Sequence, residues 1–326
     1  MIFVNKLHVM RKFIYLLLFP LVSFSQTQLD SIAIFLKNKQ FDKAEIQLTV
    51  YLEKHPKDLK AIELLGDTYG HQAKWDAAIE NYKKLVVADK KNAEYHYKYG
   101  GAMGMKALTA SKFTALGMIG DIEESFLTAA KLDPTHINVR WALAEYYMKL
   151  PGVFGGSKNM ALKYAYQLEQ LSKVDGYLAK GYIFEYDEEP ELAEKYYKLA
   201  IKEGGSLWCY DKLTTFYEKQ KQPEKALANL EVAKEKHKRN ALEYQMGKIT
   251  AEYNIELQKG VQCLQTYLKN YSPEDGVPKA WAHYRLSQIY SLKKNKAAAL
   301  KYIDLALAES PEMKSFKQEK QRIMRL

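Results

Sequence analysis

Residues 59–92 read LKAIELLGDTYGHQAKWDAAIENYKKLVVADKKN. Leu65-Gly66 is followed by Tyr69, and then by Ala77-Ala78, Tyr82 and Leu85. Apolar residues three and four apart mark one face of a helix. The pattern predicts two helices, about 60–72 and 76–89, joined by a turn around Lys74. Gly66 and Ala78 fall where such helices cross, and small side chains there let the backbones approach closely. Tyr69 and Tyr82 are expected to fill the volume around that contact.

The same grammar recurs along the chain. An alanine stands at Ala44, Ala78, Ala161, Ala193, Ala226 and Ala299, with Ile122 and Gly260 in the two gaps. The steps are 34, 44, 39, 32, 33, 34 and 39 residues. A period near 34 built from two short amphipathic helices is the mark of a helical repeat array. Pro56, Pro134 and Pro311 each follow a second helix and stop it.

Leu-Gly…Tyr in the first helix, Ala…aromatic…Ala in the second and a closing Asp-Pro or His-Pro closely resemble the tetratricopeptide repeat (TPR) family. The resemblance covers about residues 27–313. It implies an all-α, right-handed superhelical solenoid of about eight helix-turn-helix repeats. Family members act as non-catalytic binding scaffolds whose first helices line a concave groove. The expected repeats are 26–58, 59–92, 93–136, 137–173, 174–206, 207–239, 240–279 and 280–311, with a capping helix over 312–326.

Residues 1–25 belong to another class. Lys6, Arg11 and Lys12 precede an apolar run from Phe13 to Val22, and Ser23-Phe24-Ser25 follows. This is the composition of a secretory signal peptide. Ten apolar residues fall short of the roughly 20 needed to span a bilayer. The expectation is therefore an exported, periplasmic protein without stable membrane insertion after cleavage. Losing those three bases lowers the net charge from +10 to +7. Export and the scatter of the lysines argue against nucleic acid as a partner. Cys209 and Cys263 lie 54 residues apart, in different repeats, and are expected to be unpaired thiols.

Three segments break the regularity. The third repeat is ten residues too long, with the excess in Gly104 to Asp121. This is either a lengthened helix or an apolar contact surface. The fourth carries Leu150-Pro151-Gly152-Val153-Phe154-Gly155-Gly156-Ser157-Lys158 between its helices, a loop similar to that of a bacterial TPR subgroup. Its Gly-Gly-Ser-Lys order follows a helix rather than a strand, which excludes a nucleotide-binding P-loop. Asn270 to Pro278 reads as a stiff irregular linker.

Catalytic signatures are missing from the sequence. There is no His-Glu-x-x-His, Cys-x-x-Cys or Gly-x-Ser-x-Gly, so no metal, cofactor or enzymatic activity is expected. His71 and His96 lack a third ligand, and Glu185, Asp187, Glu188 and Glu189 read as a solvated turn. Groove positions lie one residue after the small crossing residue and three and six before it. They select Glu63, Asp67, Tyr97, Trp141, Glu145, Tyr182, Trp208, Asp211, Tyr244, Trp281, Tyr284 and Gln288. Aromatic and acidic residues along a concave face suit a protein or peptide ligand, with a role in envelope assembly or secretion. Alternatives are a carbohydrate stacked on the same rings, an enzyme using the array as chassis, or rings that merely pack between repeats.

Overall fold

The computed structural model describes residues 29–326, and the expected signal segment lies outside them. Among the described residues the secondary structure is helical throughout, with no strand. The described residues form an all-α array of helical hairpins, divided into two compact units after Leu171.

The first unit holds α1 (29–37), α2 (Phe41–Lys54), α3 (Leu59–His71), α4 (Trp75–Ala88), α5 (Ala93–Thr109), α6 (Lys112–Leu132), α7 (Ile137–Lys149) and α8 (Lys158–Leu171). The second holds α9 (Lys173–Tyr186), α10 (Pro190–Glu203), α11 (Leu207–Lys219), α12 (Pro223–His237), α13 (Asn240–Tyr253), α14 (Leu257–Lys269), α15 (Lys279–Leu292), α16 (Lys296–Glu309) and α17 (Lys314–Met324). Within each unit a helix packs on its successor, and first helices of adjacent hairpins also touch, as in α5 with α7 and α13 with α15. Short connections between such neighbours make them antiparallel. In the tight turns, Lys39, Ala73, Glu188, Lys221 and Lys294 adopt left-handed backbone.

The recurrent alanines are the fully buried floor of this packing: Ala44, Ala78, Ala161, Ala193, Ala226 and Ala299 expose nothing. Gly260 holds the same place because a Cβ there would stand 1.9 Å from Thr250 Oγ1 and 2.8 Å from Ile289 Cδ1. The partner of Gly66 differs from the expected Ala78. It is the ring of Tyr82, one helical turn later, with Cε1 2.6 Å from where a Cβ would be. Gly100 with Phe126, Gly181 with Tyr197 and Gly247 with Leu264 repeat the arrangement.

The excess in the third hairpin is helical. α5 has 17 residues and α6 has 21, against 13 or 14 in α3, α4, α7 and α8. In the α7–α8 loop, Gly155 takes φ +95°, and a Cβ on Gly156 would stand 1.7 Å from the Leu150 carbonyl oxygen. Residues 270–278 do not behave as a linker. Asn240 Nδ2 donates to Asp275 Oδ2 at 2.8 Å, and the Tyr267 hydroxyl donates to the Val277 carbonyl. Tyr271 and Val277 pack on the core of the second unit.

Most ion pairs between neighbouring hairpins share one polarity. Glu45–Lys74 (2.7 Å) and Glu63–Lys98 (2.7 Å) place the acid on the earlier hairpin of the first unit. Glu185–Lys219 (2.6 Å), Glu194–Lys225 (3.0 Å), Glu218–Lys248 (3.1 Å) and Glu252–Arg285 (2.6 Å) do so in the second. Lys234–Glu243 runs the other way. Half-exposed pairs of this kind add little stability each. Their value is in register, since a hairpin slipped by one turn would lose its partner.

Candidate functional site

The first-helix face of the N-terminal unit is built from α3, α5 and α7. On α3, Glu63 and Asp67 are one turn apart and so share a face. Lys98 of α5 meets both, its Nζ donating to Glu63 Oε1 at 2.7 Å and to Asp67 Oδ1 and Oδ2 at 2.8 and 2.9 Å. The Tyr82 hydroxyl donates to Asp67 Oδ1 at 2.7 Å, and Lys60 donates to Glu63 Oε2 at 3.2 Å. Burial works against the charge on Glu63, yet Lys98 and Lys60 outweigh it and hold the carboxyl below its ordinary range. Burial likewise opposes the charge of Lys98, and Asp67 and Glu63 overcome it, so the amine titrates above its usual value. A lysine held this firmly as a cation is neither nucleophile nor base.

Tyr97 lies beside this network. Its ring centroid is 5.0 Å from that of His136, the N-cap of α7, and His136 Nε2 is 3.0 Å from Glu94 Oε2. One and two turns on, Gly101 and Gly104 continue the Tyr97 stripe, and nothing stands within 4 Å of where a Cβ would be on either. Trp141 is half-buried on α7, and Glu145 is paired with Lys149 at 3.4 Å. The result is a strip of bare backbone between a charged wall on α3 and an aromatic and acidic one on α7.

In the C-terminal unit the selected residues divide. Trp208 is 55% exposed and Asp211 is exposed, but the Lys212 ammonium sits 4.2 Å over the Trp208 ring and covers one of its faces. Tyr182 is half-buried, with its ring 6.1 Å from that of Tyr186. Tyr244 is only 8% exposed and packs on Tyr267, so it belongs to the core. Trp281 and Tyr284 hold the buried Phe316 of α17 between them, each ring centroid 5.0 Å from it. Gln288 Nε2 donates to the Tyr284 hydroxyl at 3.0 Å. The face of the last hairpin is thus covered by the chain's own terminal helix.

The other polar candidates are satisfied structurally. His71 stacks on Phe41 at 4.8 Å, while His96 Nε2 meets the Lys90 carbonyl at 3.0 Å, so the two histidines do not form a pair. Glu185 accepts from the Tyr197 hydroxyl and from Lys219, both at 2.6 Å. Among the described residues no group of three or more His, Cys, Asp or Glu is placed to hold a metal ion. Both cysteines are free and buried, and burial together with Glu243 pushes the Cys263 thiol up to about 12.

Gly101 holds the groove position one after Gly100, but without a side chain it is not selected; Lys98 and Gly104 lie outside the three positions read from each repeat. Carrying the Tyr97 stripe on by four and seven residues finds both glycines, and Lys98 adjoins it.

No family model and no curated protein matches the chain. Among solved structures it is similar to a tetratricopeptide repeat protein from Parabacteroides merdae, at 14% identity over 92% of this chain and 98% of that one, with a TM-score of 0.48. It is also similar to YrrB, a TPR protein with an unusual peptide-binding site, at 20% identity over 62% and 98%, with a TM-score of 0.42. A thermophilic TPR protein of Thermus thermophilus gives 16% identity over 75% and 99%, with a TM-score of 0.38.

Proposed function

We propose that the chain is a non-catalytic scaffold that seats a protein or peptide segment on the first-helix face of its N-terminal unit. The observation that carries this reading is the open backbone at Gly101 and Gly104, one and two turns beyond Tyr97, with half-buried Trp141 on the adjoining α7. Side-chain-free helix lets a ligand backbone come close, and the flanking rings supply contact area at low entropic cost. Glu63, Asp67 and Glu145 provide acceptors for ligand N–H groups at its edges. Trp208 and Asp211 are a second contact point on the C-terminal unit.

The positive, apolar and small-residue order of residues 6–25 supports action outside the cytoplasm, in envelope assembly or secretion. Cell fractionation tests that part, and mature protein found in the cytosol would end it.

The seat itself is tested by titrating an array of short synthetic peptides against the protein and following fluorescence anisotropy. Gly101→Trp fills the strip without touching the core and is expected to abolish binding that the parent shows. Peptides bound equally by parent, Gly101→Trp and Glu145→Lys would place the ligand elsewhere.

A further inference from the structure

The α5–α6 hairpin outgrows its neighbours at the turn end. α5 is about four residues longer than α3, and α6 about seven longer than α4. At about 1.5 Å per residue this is a projection of roughly 6–10 Å. The projection is apolar: Phe113 is 88% exposed, Leu108 is 64% exposed, and Met105 and Leu116 are also exposed. Gly117 and Gly120 have open space around them, as expected of an arm that stands clear of its neighbours.

The α7–α8 loop reaches the same end of the unit. The Tyr146 hydroxyl, near the end of α7, donates to the Ile119 carbonyl of α6 at 3.0 Å, which ties the two together. The loop adds Val153, 86% exposed, and Phe154, also exposed. Charge is one-sided there. Residues 104–120 and 149–163 contain no Asp or Glu, and carry Lys106, Lys112, Lys149, Lys158 and Lys163. Carboxylates from outside these stretches adjoin them: Asp76 pairs with Lys106, Glu145 pairs with Lys149, and Asp121 and Glu123 follow at the base of the arm.

We propose that this end of the N-terminal unit is a peripheral docking surface for an anionic lipid bilayer. Side chains that stand almost fully exposed on two separate tips would each need its own pocket in a protein partner. A fluid interface accommodates them in any arrangement, and an apolar patch of this kind calls for cover. Interfacial segments bury apolar groups roughly 5–10 Å deep, the reach of this arm. Lysine stems lie along apolar surface while their ammonium groups stay with the headgroups, and anionic lipid attracts the excess of lysines on these segments. Among the described residues no helix is long and apolar enough to cross a membrane, so the contact is peripheral. The surface centres on Phe113 and Val153, beyond the Gly104 end of the strip, and its variants leave Gly101, Gly104 and Glu145 unchanged, so the two proposals are tested separately.

The test is co-sedimentation of the full chain with vesicles of phosphatidylcholine alone and of phosphatidylcholine mixed with phosphatidylglycerol. Phe113→Ser/Val153→Ser and Lys112→Glu/Lys158→Glu are compared with the parent, with helical circular dichroism as the folding check. All three proteins share residues 1–25, so any contribution of that segment cancels. Binding to the anionic vesicles is expected to weaken by about tenfold or more in each variant, and to fall with added salt in the parent. Equal binding by parent and variants overturns the proposal. So does absence of vesicle binding, and if Phe113→Ser/Val153→Ser then turns a dimeric parent monomeric, the arm joins two copies of this chain instead.

Discussion

Gly66 lies directly beneath the ring of Tyr82, and the ring is pinned. A Cβ at residue 66 would stand 2.6 Å from Tyr82 Cε1, while the Tyr82 hydroxyl is held on Asp67 at 2.7 Å. Asp67 is in turn held by Lys98. The crossing of α3 and α4 is thereby linked to the charged wall of the candidate site.

This pinning decides the sign of two glycine-to-alanine changes. In a helix interior Ala is worth about 1 kcal/mol over Gly. At Gly66 that gain opposes an overpacking cost of about 1–3 kcal/mol, and the tethered ring cannot swing aside. Gly66→Ala is expected to lower stability. Gly101→Ala meets only open space and is expected to raise it by about 0.5–1 kcal/mol. Urea unfolding of both variants checks this, and shifts in the same direction would refute the assigned contact.

Removing the cation tests the charged wall. Lys98→Met leaves two partly buried carboxylates without their partner, which costs about 1–3 kcal/mol at neutral pH. The acid dependence has a definite sign. In the parent, the depressed pKa of Glu63 contributes stability that is present above the ordinary carboxylate range and lost as pH falls below it. In the variant Glu63 keeps only the exposed Lys60, and protonating it relieves a poorly compensated charge. The gap between the two proteins therefore narrows as pH falls through about 4. A gap that stays constant with pH would mean that Lys98 acts through packing alone.

Glu194 is the strongest pH probe in the C-terminal unit. Burial would raise its pKa, but hydrogen bonds from Lys198, Lys225 and Tyr217 lower it to about 2. A depressed carboxyl stabilises the fold above its unfolded value and loses that contribution as pH falls toward its folded one. Glu194→Gln should cost about 1–2 kcal/mol at pH 7, allowing for the exposure of the lysines. Near pH 2 most of that deficit should be gone. Thermal melts across this range make the comparison.

The all-α hairpin class was legible because burial leaves no choice at the recurrent positions. Ala193 and Ala226 expose nothing, and Gly260 has no room for a methyl. Other features depend on contacts that a local pattern does not contain. The sequence leaves Gly104 to Asp121 open between a lengthened helix and an apolar contact surface; Gly104, Gly117 and Gly120 are all helical, since an isolated helical glycine costs only about 1 kcal/mol. The turn between those helices is Ala110-Ser111, which lacks the usual Gly or Pro punctuation. Tyr97 and Tyr244 occupy equivalent positions in their repeats. One borders an open glycine strip and the other is buried on Tyr267, a difference set by the neighbouring helix.

Helix α17 closes over the hairpin of α15 and α16. Phe316 is fully buried against Trp281 and Tyr284, and Ile323 is buried in the same cluster. Polar ties add to this: Arg322 donates to the buried Ser291 Oγ at 2.8 Å, and Lys320 pairs with Asp304 at 2.8 Å on the exposed side. Truncating a buried Phe costs about 3–5 kcal/mol, more than these ties return. In Phe316→Ala, then, α17 should open while α15 and α16 stay folded on α14. Hydrogen exchange would show fast amides confined to residues after Met313, together with new exposure of Trp281. Continued protection of α17, or simultaneous loss of protection in α13 to α16, would contradict the view of this helix as a separable lid over the last hairpin.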